Sequence, residues 1–188
     1  MATRPLAASH DWTVADLHAL PDDGNRYEII DGVLCVTASP LLPHQRLLSR
    51  LHFRLMAYVE NLGLEVLESP SDIVFSDDTL VQPDLFVFPK LDGRSAAHFS
   101  DIECLTLAVE VLSRSTARRD RTTKRRLYQQ QGVPEYWVAD TRACAIERWR
   151  PESIEAEVIT ENLVWQPVAG RVPLVLELPK LFRGIAGG

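Results

Sequence analysis

Apolar and polar residues alternate along the chain in a pattern of short strand-like runs and amphipathic helical segments. Two runs, residues 26–30 and 33–38, flank Asp31-Gly32, a residue pair typical of a β-hairpin turn. Residues 40–62 follow, and their apolar positions recur at the spacings of a long amphipathic helix. Short apolar runs then continue to the C-terminus and predict further strands.

Residues 105–140 are the centre of the predicted fold, with a buried strand, a turn, a basic helix and a second strand. The run 105–112 is almost wholly apolar, as expected for a strand that is covered on both faces. We expect Ser115 or Thr116 to cap the helix and Gly132 to end it. A strand, a helix and a strand in this order predict a crossover between neighbouring strands.

The element order predicts an α/β fold with a mixed central β-sheet flanked by helices. The strands of the N-terminal hairpin are expected on one side of this sheet and the helix-connected crossover in its middle. A chain of 188 residues suits a single domain over 1–188. Its core is expected over about 11–150, with C-terminal strands over 151–182. No apolar run approaches the ~20 residues that cross a bilayer, so we expect no membrane partner. Three widely spaced cysteines favour neither a disulfide framework nor a zinc site, and suit a reducing cytoplasm.

Charge is distributed unevenly along the chain. The net charge of −6 argues against a protein that simply coats nucleic acid. Residues 114–126, however, contain seven Arg or Lys against one Asp. This basic segment fits local contact with phosphate, and it equally fits a solvated outer face of the helix.

One acid and one lysine stand out in the central stretch. Glu110 interrupts the buried strand, where an ionised carboxylate is rarely left unpaired. Lys124 shares its spacing with the apolar residues of the following helix and should point inward, whereas the neighbouring arginines should point outward. The inward face is predicted to contain Ala117, Lys124, Leu127, Tyr128 and Gln131.

A third candidate is Asp84, which shares a strand face with Phe86 and Phe88. Two carboxylates on neighbouring strands repel each other, and a divalent cation relieves that repulsion. Oxygen ligands of this kind suit Mg²⁺ or Mn²⁺, and Lys124 would add a point charge for a phosphate. The alternative is a structural ion pair between Glu110 and Lys124, with Asp84 capping a turn.

Four segments together resemble a known family: YEIIDGVLCV, PDLFVFP, LAVEVLSRST and YQQQGVPEYWVAD. They are similar to the Uma family of bacterial restriction-endonuclease-like proteins, over about residues 11–150. The resemblance implies the restriction-endonuclease-like fold of PD-(D/E)XK nucleases and a metal-dependent phosphodiesterase site. In that reading Asp84 is the first acid and Glu110 the second. Leu112 stands where the usual lysine would be, and the resemblance implies that Lys124 supplies the amine instead.

Two further residues are candidate accessories to this site. His44 lies at the start of the long helix and should face inward, where it could contact a metal ligand or a phosphate. A hydrogen-bonded core histidine is the alternative. Glu28 could add a carboxylate from the hairpin, or it could keep its charge in water. Tyr136 and Trp137 could stack on bases, although a strand entering the core makes packing the preferred interpretation.

The resulting hypothesis is a DNA endonuclease that depends on Mg²⁺ or Mn²⁺. Asp84 and Glu110 would hold the metal, Lys124 would assist, and Arg118, Arg119 and Arg125 would contact DNA phosphates. The alternative is a catalytically inactive module that keeps the nuclease fold and binds DNA or protein. A weaker idea is a homodimer, formed through the apolar C-terminal strands that include PLVLELP.

Overall fold

The structure is a computed structural model that describes residues 11–21, 23–37 and 39–185. Its helices are α1 (Val14–His18), α2 (Leu42–Val59), α3 (Ala117–Arg119), α4 (Arg125–Gln130) and α5 (Leu178–Phe182). Its strands are β1 (Arg26–Ile30), β2 (Val33–Thr37), β3 (Leu64–Glu68), β4 (Ile73–Ser76), β5 (Thr79–Val81), β6 (Leu85–Pro89), β7 (Leu107–Val111), β8 (Glu135–Asp140), β9 (Ala145–Trp149), β10 (Glu157–Ile159), β11 (Asn162–Trp165) and β12 (Leu174–Glu177).

A six-stranded mixed sheet lies at the centre of the fold, in the order β10-β9-β8-β7-β6-β3. Strands β7 and β8 are parallel, and the helical segment between them makes the crossover. The other described pairs of this sheet are antiparallel. The predicted mixed sheet with a helix-connected crossover at its centre is therefore confirmed. The expected position of the hairpin is wrong, because β1 and β2 belong to a separate sheet.

The two faces of the central sheet are buried in two separate cores. Leu107 and Val109 of β7 pack in the first core, which also contains the buried face of α2. Ala108 lies between them in sequence and packs in the second core, with residues of α4. Because side chains alternate along a strand, Glu110 projects from the same face as Ala108.

A smaller four-stranded sheet, in the order β2-β1-β5-β4, covers the second core. Strands β1 and β2 form the predicted hairpin, and Asp31 and Gly32 both have positive φ, at 50° and 74°. Such a two-residue turn matches the twist of its flanking strands. Ile30 and Val81 pack from this sheet against the central one. The small sheet thereby brings β1 close to the carboxyl end of β7.

The helix of the crossover is less regular than the sequence predicts. Three residues of α3 are followed by a π-helical turn over Asp120–Lys124 and then by α4. The Tyr136 hydroxyl donates to the Asp120 carbonyl at 3.0 Å, at the start of this turn. Thr116 occupies the N-cap position of α3, as one of the two predicted alternatives, but its side chain makes no capping hydrogen bond. The Ser113 hydroxyl instead accepts the Thr116 N–H at 3.2 Å. The predicted end is confirmed, since Gly132 has a φ of 67°.

The C-terminal segment packs on the first core. Leu174, Leu176 and Leu178 are buried there, so most of the apolar residues of PLVLELP are not available for self-association. The short helix α5 is not predicted from the sequence, although Pro179 in its first turn is a typical start signal. No helix within the described residues is long and apolar enough to cross a membrane.

Candidate active site

Lys124 is the centre of a buried cluster of charged side chains. Its Nζ lies 2.6 Å from Oε1 of Glu28 and 2.7 Å from Oε1 of Glu110. Lys124 is 2% exposed, and each glutamate is 3% exposed. The predicted inward orientation of Lys124 is confirmed. Glu28 is corrected, since its charge is buried and paired with lysine and does not lie in water.

Three separate elements supply this cluster. Glu110 comes from β7 in the middle of the central sheet, and Glu28 comes from β1 of the small sheet. Lys124 is the last residue of the π-helical turn. The Gln82 backbone N–H donates to Glu28 Oε1 at 2.8 Å, which fixes that carboxylate from the chain leading into β6. Burial and double pairing together hold the ammonium in one position.

Asp84 lies immediately before β6 and is 2% exposed. Arg26 donates to its Oδ1 at 2.8 Å. The other oxygen, Oδ2, lies 2.9 Å from His44 Nε2 and accepts the Val111 N–H at 2.8 Å. That amide directly follows Glu110 on the neighbouring strand, so the two acids lie side by side, at the start of β6 and the carboxyl end of the antiparallel β7. Arg26 is not predicted from the sequence, because its partner is 58 residues away.

The environments of the two acids shift their pKa values in opposite directions. Burial raises the pKa of Asp84, but the hydrogen bond and electrostatic contribution of His44, the charge of Arg26 and the Val111 N–H outweigh it and lower the pKa to about 2. Burial also raises the pKa of Glu110. The charge of Lys124 offsets this increase only in part, and the nearby Asp84 raises the pKa further. Asp84 is thus held ionised, whereas ionisation of Glu110 is opposed by its surroundings.

Asp120 is a fourth buried acid that the sequence pattern does not bring forward. It is 1% exposed, and its Oδ1 has no hydrogen-bond partner in the described structure. Burial raises its pKa, although the charge of Lys124 opposes that shift. Its spacing is consistent with this inward position, since Asp120 follows Ala117 by three residues and precedes Lys124 by four, which places all three on one helix face.

The three predicted phosphate-contacting arginines occupy different surroundings. Arg119 is corrected from outward to inward, because it donates to Thr37 Oγ1 at 2.6 Å and lies 3.4 Å from Glu28 Oε2. Arg125 lies 4.9 Å above the Trp149 ring and donates to Gln129, away from the buried cluster. Arg118 is exposed, as predicted.

The clustered side chains line a cavity of about 200 Å³, which we call the active-site cavity. Its ionisable lining residues are Arg26, Glu28, His44, Asp84, Glu110, Arg114, Arg119, Asp120 and Lys124. All three residues predicted to be catalytic therefore meet in one place, together with both predicted accessories. Tyr136 and Trp137 do not line it and are buried packing residues, as preferred from the sequence.

Within the described residues, no group of three or more His, Cys, Asp or Glu side chains is already arranged to hold a metal ion. The donors nevertheless fit a hard divalent cation. Asp84, Glu110 and Asp120 offer carboxylate oxygens, and Asp120 Oδ1 is a buried acceptor without a donor. A cation bound here must compete with Arg26 and Lys124 for the oxygens of Asp84 and Glu110.

Comparisons with known proteins give a family and a fold. A crystal structure of a "putative nuclease belonging to DUF820" from Anabaena variabilis is similar, with a TM-score of 0.71 and 22% identity over 91% of this chain and 97% of that chain. This likeness confirms the restriction-endonuclease-like α/β fold. A search of curated proteins gave no match. The family model described as "Putative restriction endonuclease" matches residues 14–179. The chain therefore belongs to the Uma2 family, and a nuclease-like function follows from that membership.

Proposed function

We propose that this protein is a DNA endonuclease that depends on a divalent metal ion, Mg²⁺ or Mn²⁺. The observation that carries the proposal is the convergence of Asp84, Glu110 and Lys124 in one buried cavity, from three distant segments. Membership of a restriction-endonuclease-like family supports a nucleic acid as the substrate. The choice of DNA and of these metals rests on the oxygen-rich donors and the family resemblance.

Asp84 and Glu110 are the proposed metal ligands, and Asp120 Oδ1 is a third oxygen available to the ion or to its bound water. A divalent cation at such a site activates water and neutralises charge on the phosphodiester in the transition state. The raised pKa of Glu110 supports the assignment, because a bound cation would favour the ionised carboxylate that burial and the nearby acids oppose.

Lys124 is the proposed third catalytic group. Two of its three N–H donors go to Glu28 and Glu110, which leaves one for a phosphate oxygen or the attacking water. Glu28 is then a positioning residue that holds the ammonium in place. His44 is a positioning residue for Asp84, and Arg119, at the cavity wall, is the proposed phosphate contact.

The test is incubation of supercoiled plasmid with purified protein and Mn²⁺. Wild type should produce nicked and linear DNA, and Glu110→Ala and Lys124→Met should not. Glu103→Gln is the matched control, because Glu103 is exposed and lies outside the cavity, and it should cut like wild type. Equal nicking by wild type and Glu110→Ala would remove the assignment.

A second candidate is a module that binds DNA or protein and does not cut. The ion pairs favour it, since Arg26 and Lys124 already pair with Asp84 and Glu110 without a metal. This candidate predicts DNA binding that weakens steeply with salt and survives Glu110→Ala, with no cleavage in Mn²⁺. A Glu110-dependent metal site would contradict it.

The same proposal places the protein in the cytoplasm with DNA, as a homodimer when both strands are cut. The three leucines of PLVLELP are buried, and the exposed large apolar residues in and beside this segment include Val164, Val172 and Val175. Sedimentation of the purified chain tests the dimer, and a monomer at all concentrations would contradict it.

A further inference from the structure

A second cavity opens beside the active-site cavity, and we call it the flanking cleft. Its volume is about 400 Å³. It shares four lining residues with the active-site cavity, namely Leu41, His44, Ser113 and Arg114. The two cavities are therefore neighbours separated by the turn after β7 and by the start of α2.

We infer that the flanking cleft binds a backbone phosphate of the nucleic acid, next to the phosphate held in the active-site cavity, through Arg114 and Arg142. The identity of the ligand rests on the proposed function. The placement rests on charge, on the free hydrogen-bond donors of the cleft and on its continuity with the catalytic groups.

The arginines of the cleft differ in whether an acid already pairs with them. Three arginines line it, at positions 114, 121 and 142. Arg121 is neutralised, because it donates to Asp140 Oδ2 at 2.9 Å and through Nε to Glu147 Oε1 at 2.8 Å. In the part of the chain that the structure describes, the guanidinium groups of Arg114 and Arg142 make no hydrogen bond or ion pair. Both guanidinium groups are therefore available to a ligand, although Asp140 also lines the cleft.

The chemistry of these groups selects an anion with several oxygens. A guanidinium presents planar paired N–H donors that match phosphate in a bidentate manner. The N-terminus of α2 also contributes to anion binding, because Pro43 in its first turn lines the cleft. Leu41, at the N-cap position, has no side-chain oxygen to accept hydrogen bonds from the N–H groups of that turn. The N-terminal end of an 18-residue helix carries partial positive charge toward the same space. Arg114 lines both cavities, so a single nucleic-acid strand that spans them can place one phosphate in each.

The experiment measures binding of a fluorescein-labelled 24-base-pair duplex by anisotropy in EDTA, across a series of salt concentrations. Arg114→Ala/Arg142→Ala is compared with wild type and with Arg126→Ala/Arg171→Ala, a control that removes two exposed arginines outside both cavities. Each neutralised phosphate contributes about 0.9 to the slope of log affinity against log salt, so the one phosphate held by the two arginines contributes about 0.9. Between about 50 and 200 mM salt, wild-type binding should weaken about 3.5-fold more than binding of the double variant.

The control should keep the wild-type slope to within about 0.5. Equal slopes for the double variant and the control would overturn the inference, and so would a wild type that does not bind the duplex at low salt. Arg118→Ala, run beside them, tests the sequence-based expectation for that residue. Plasmid cutting in Mn²⁺ is scored separately. If wild type cuts plasmid but the double variant keeps the wild-type salt slope, only the inference about the cleft is overturned. If the double variant changes the slope but wild type does not cut, only the nuclease proposal is overturned.

Discussion

Replacement of Lys124 by methionine is the perturbation with the largest expected effect on stability. The side chain is 2% exposed, and its ammonium neutralises two glutamates that are each 3% exposed. Methionine fills a similar volume but leaves Glu28 and Glu110 without that partner. Removal of one partner from a buried ion pair costs about 3–5 kcal/mol. Since a whole domain has about 5–15 kcal/mol of unfolding free energy, this is a large fraction.

The loss should depend on pH, and its sign follows from the remaining acids. Without the ammonium, the pKa of Glu110 in the folded protein rises further above its ordinary value. A carboxyl whose folded pKa is raised contributes stability below its unfolded pKa, and that contribution is lost as pH rises through the folded value. Lys124→Met should therefore lose more unfolding free energy at pH 8 than at pH 5.

Urea unfolding in EDTA at both pH values measures this difference. Lys180→Met is the control, because the Lys180 side chain is 65% exposed and pairs with the exposed Glu177, and it should stay within about 0.5 kcal/mol of wild type. If Lys124→Met unfolds within about 1 kcal/mol of wild type at pH 8, the neutralising role of Lys124 is refuted. Equal losses at pH 5 and pH 8 would refute the electrostatic explanation of the effect.

Three further predictions concern the acids. Glu110→Gln in EDTA should be at least as stable to urea as wild type. Burial and neighbouring acids raise the pKa of Glu110, and in the variant Lys124 still pairs with Glu28. A loss of unfolding free energy above about 2 kcal/mol would contradict this. Asp84→Asn should lose about 2 kcal/mol of unfolding free energy at pH 7, because the pKa of Asp84 is lowered to about 2 in the folded protein. The stability that this shift contributes is present above the ordinary pKa of Asp and is lost as pH falls toward 2. Urea unfolding should therefore show a smaller deficit at pH 3 than at pH 7, and an equal deficit would contradict this. Asp120→Asn should weaken Mn²⁺ binding several-fold by calorimetry and leave stability within about 1 kcal/mol, and unchanged Mn²⁺ affinity would exclude Asp120 from the site.

Much of the fold follows from local patterns. The hairpin is predicted because Asp31-Gly32 adopts positive φ at both positions, and the crossover because a buried apolar run precedes a helix and a strand. The inward orientation of Lys124 follows from spacing alone, and so does that of His44. These features depend on residues that are close in sequence, where periodicity carries the information. The single-domain organisation stays a prediction.

The features that the sequence does not predict depend on distant partners. Arg119 turns inward because Glu28 and Thr37, from the small sheet, lie beside it. The π-helical turn interrupts a segment that the apolar spacing predicts as one helix, and the Tyr136 hydroxyl that contacts it comes from the next strand. The same limit hides Arg26, since only packing of the small sheet on the central one brings it to Asp84.

The central claim is that Asp84 and Glu110 form a divalent cation site in the active-site cavity. Calorimetric titration of Mn²⁺ into the metal-free protein tests it most directly, with Glu110→Gln as the variant and Glu103→Gln as the exposed control. Because Glu110→Gln is expected to keep its fold, a loss of binding cannot be ascribed to unfolding. The account predicts saturable Mn²⁺ binding by wild type and Glu103→Gln that disappears in Glu110→Gln. Equal binding by all three proteins, or no saturable binding by wild type, would contradict it.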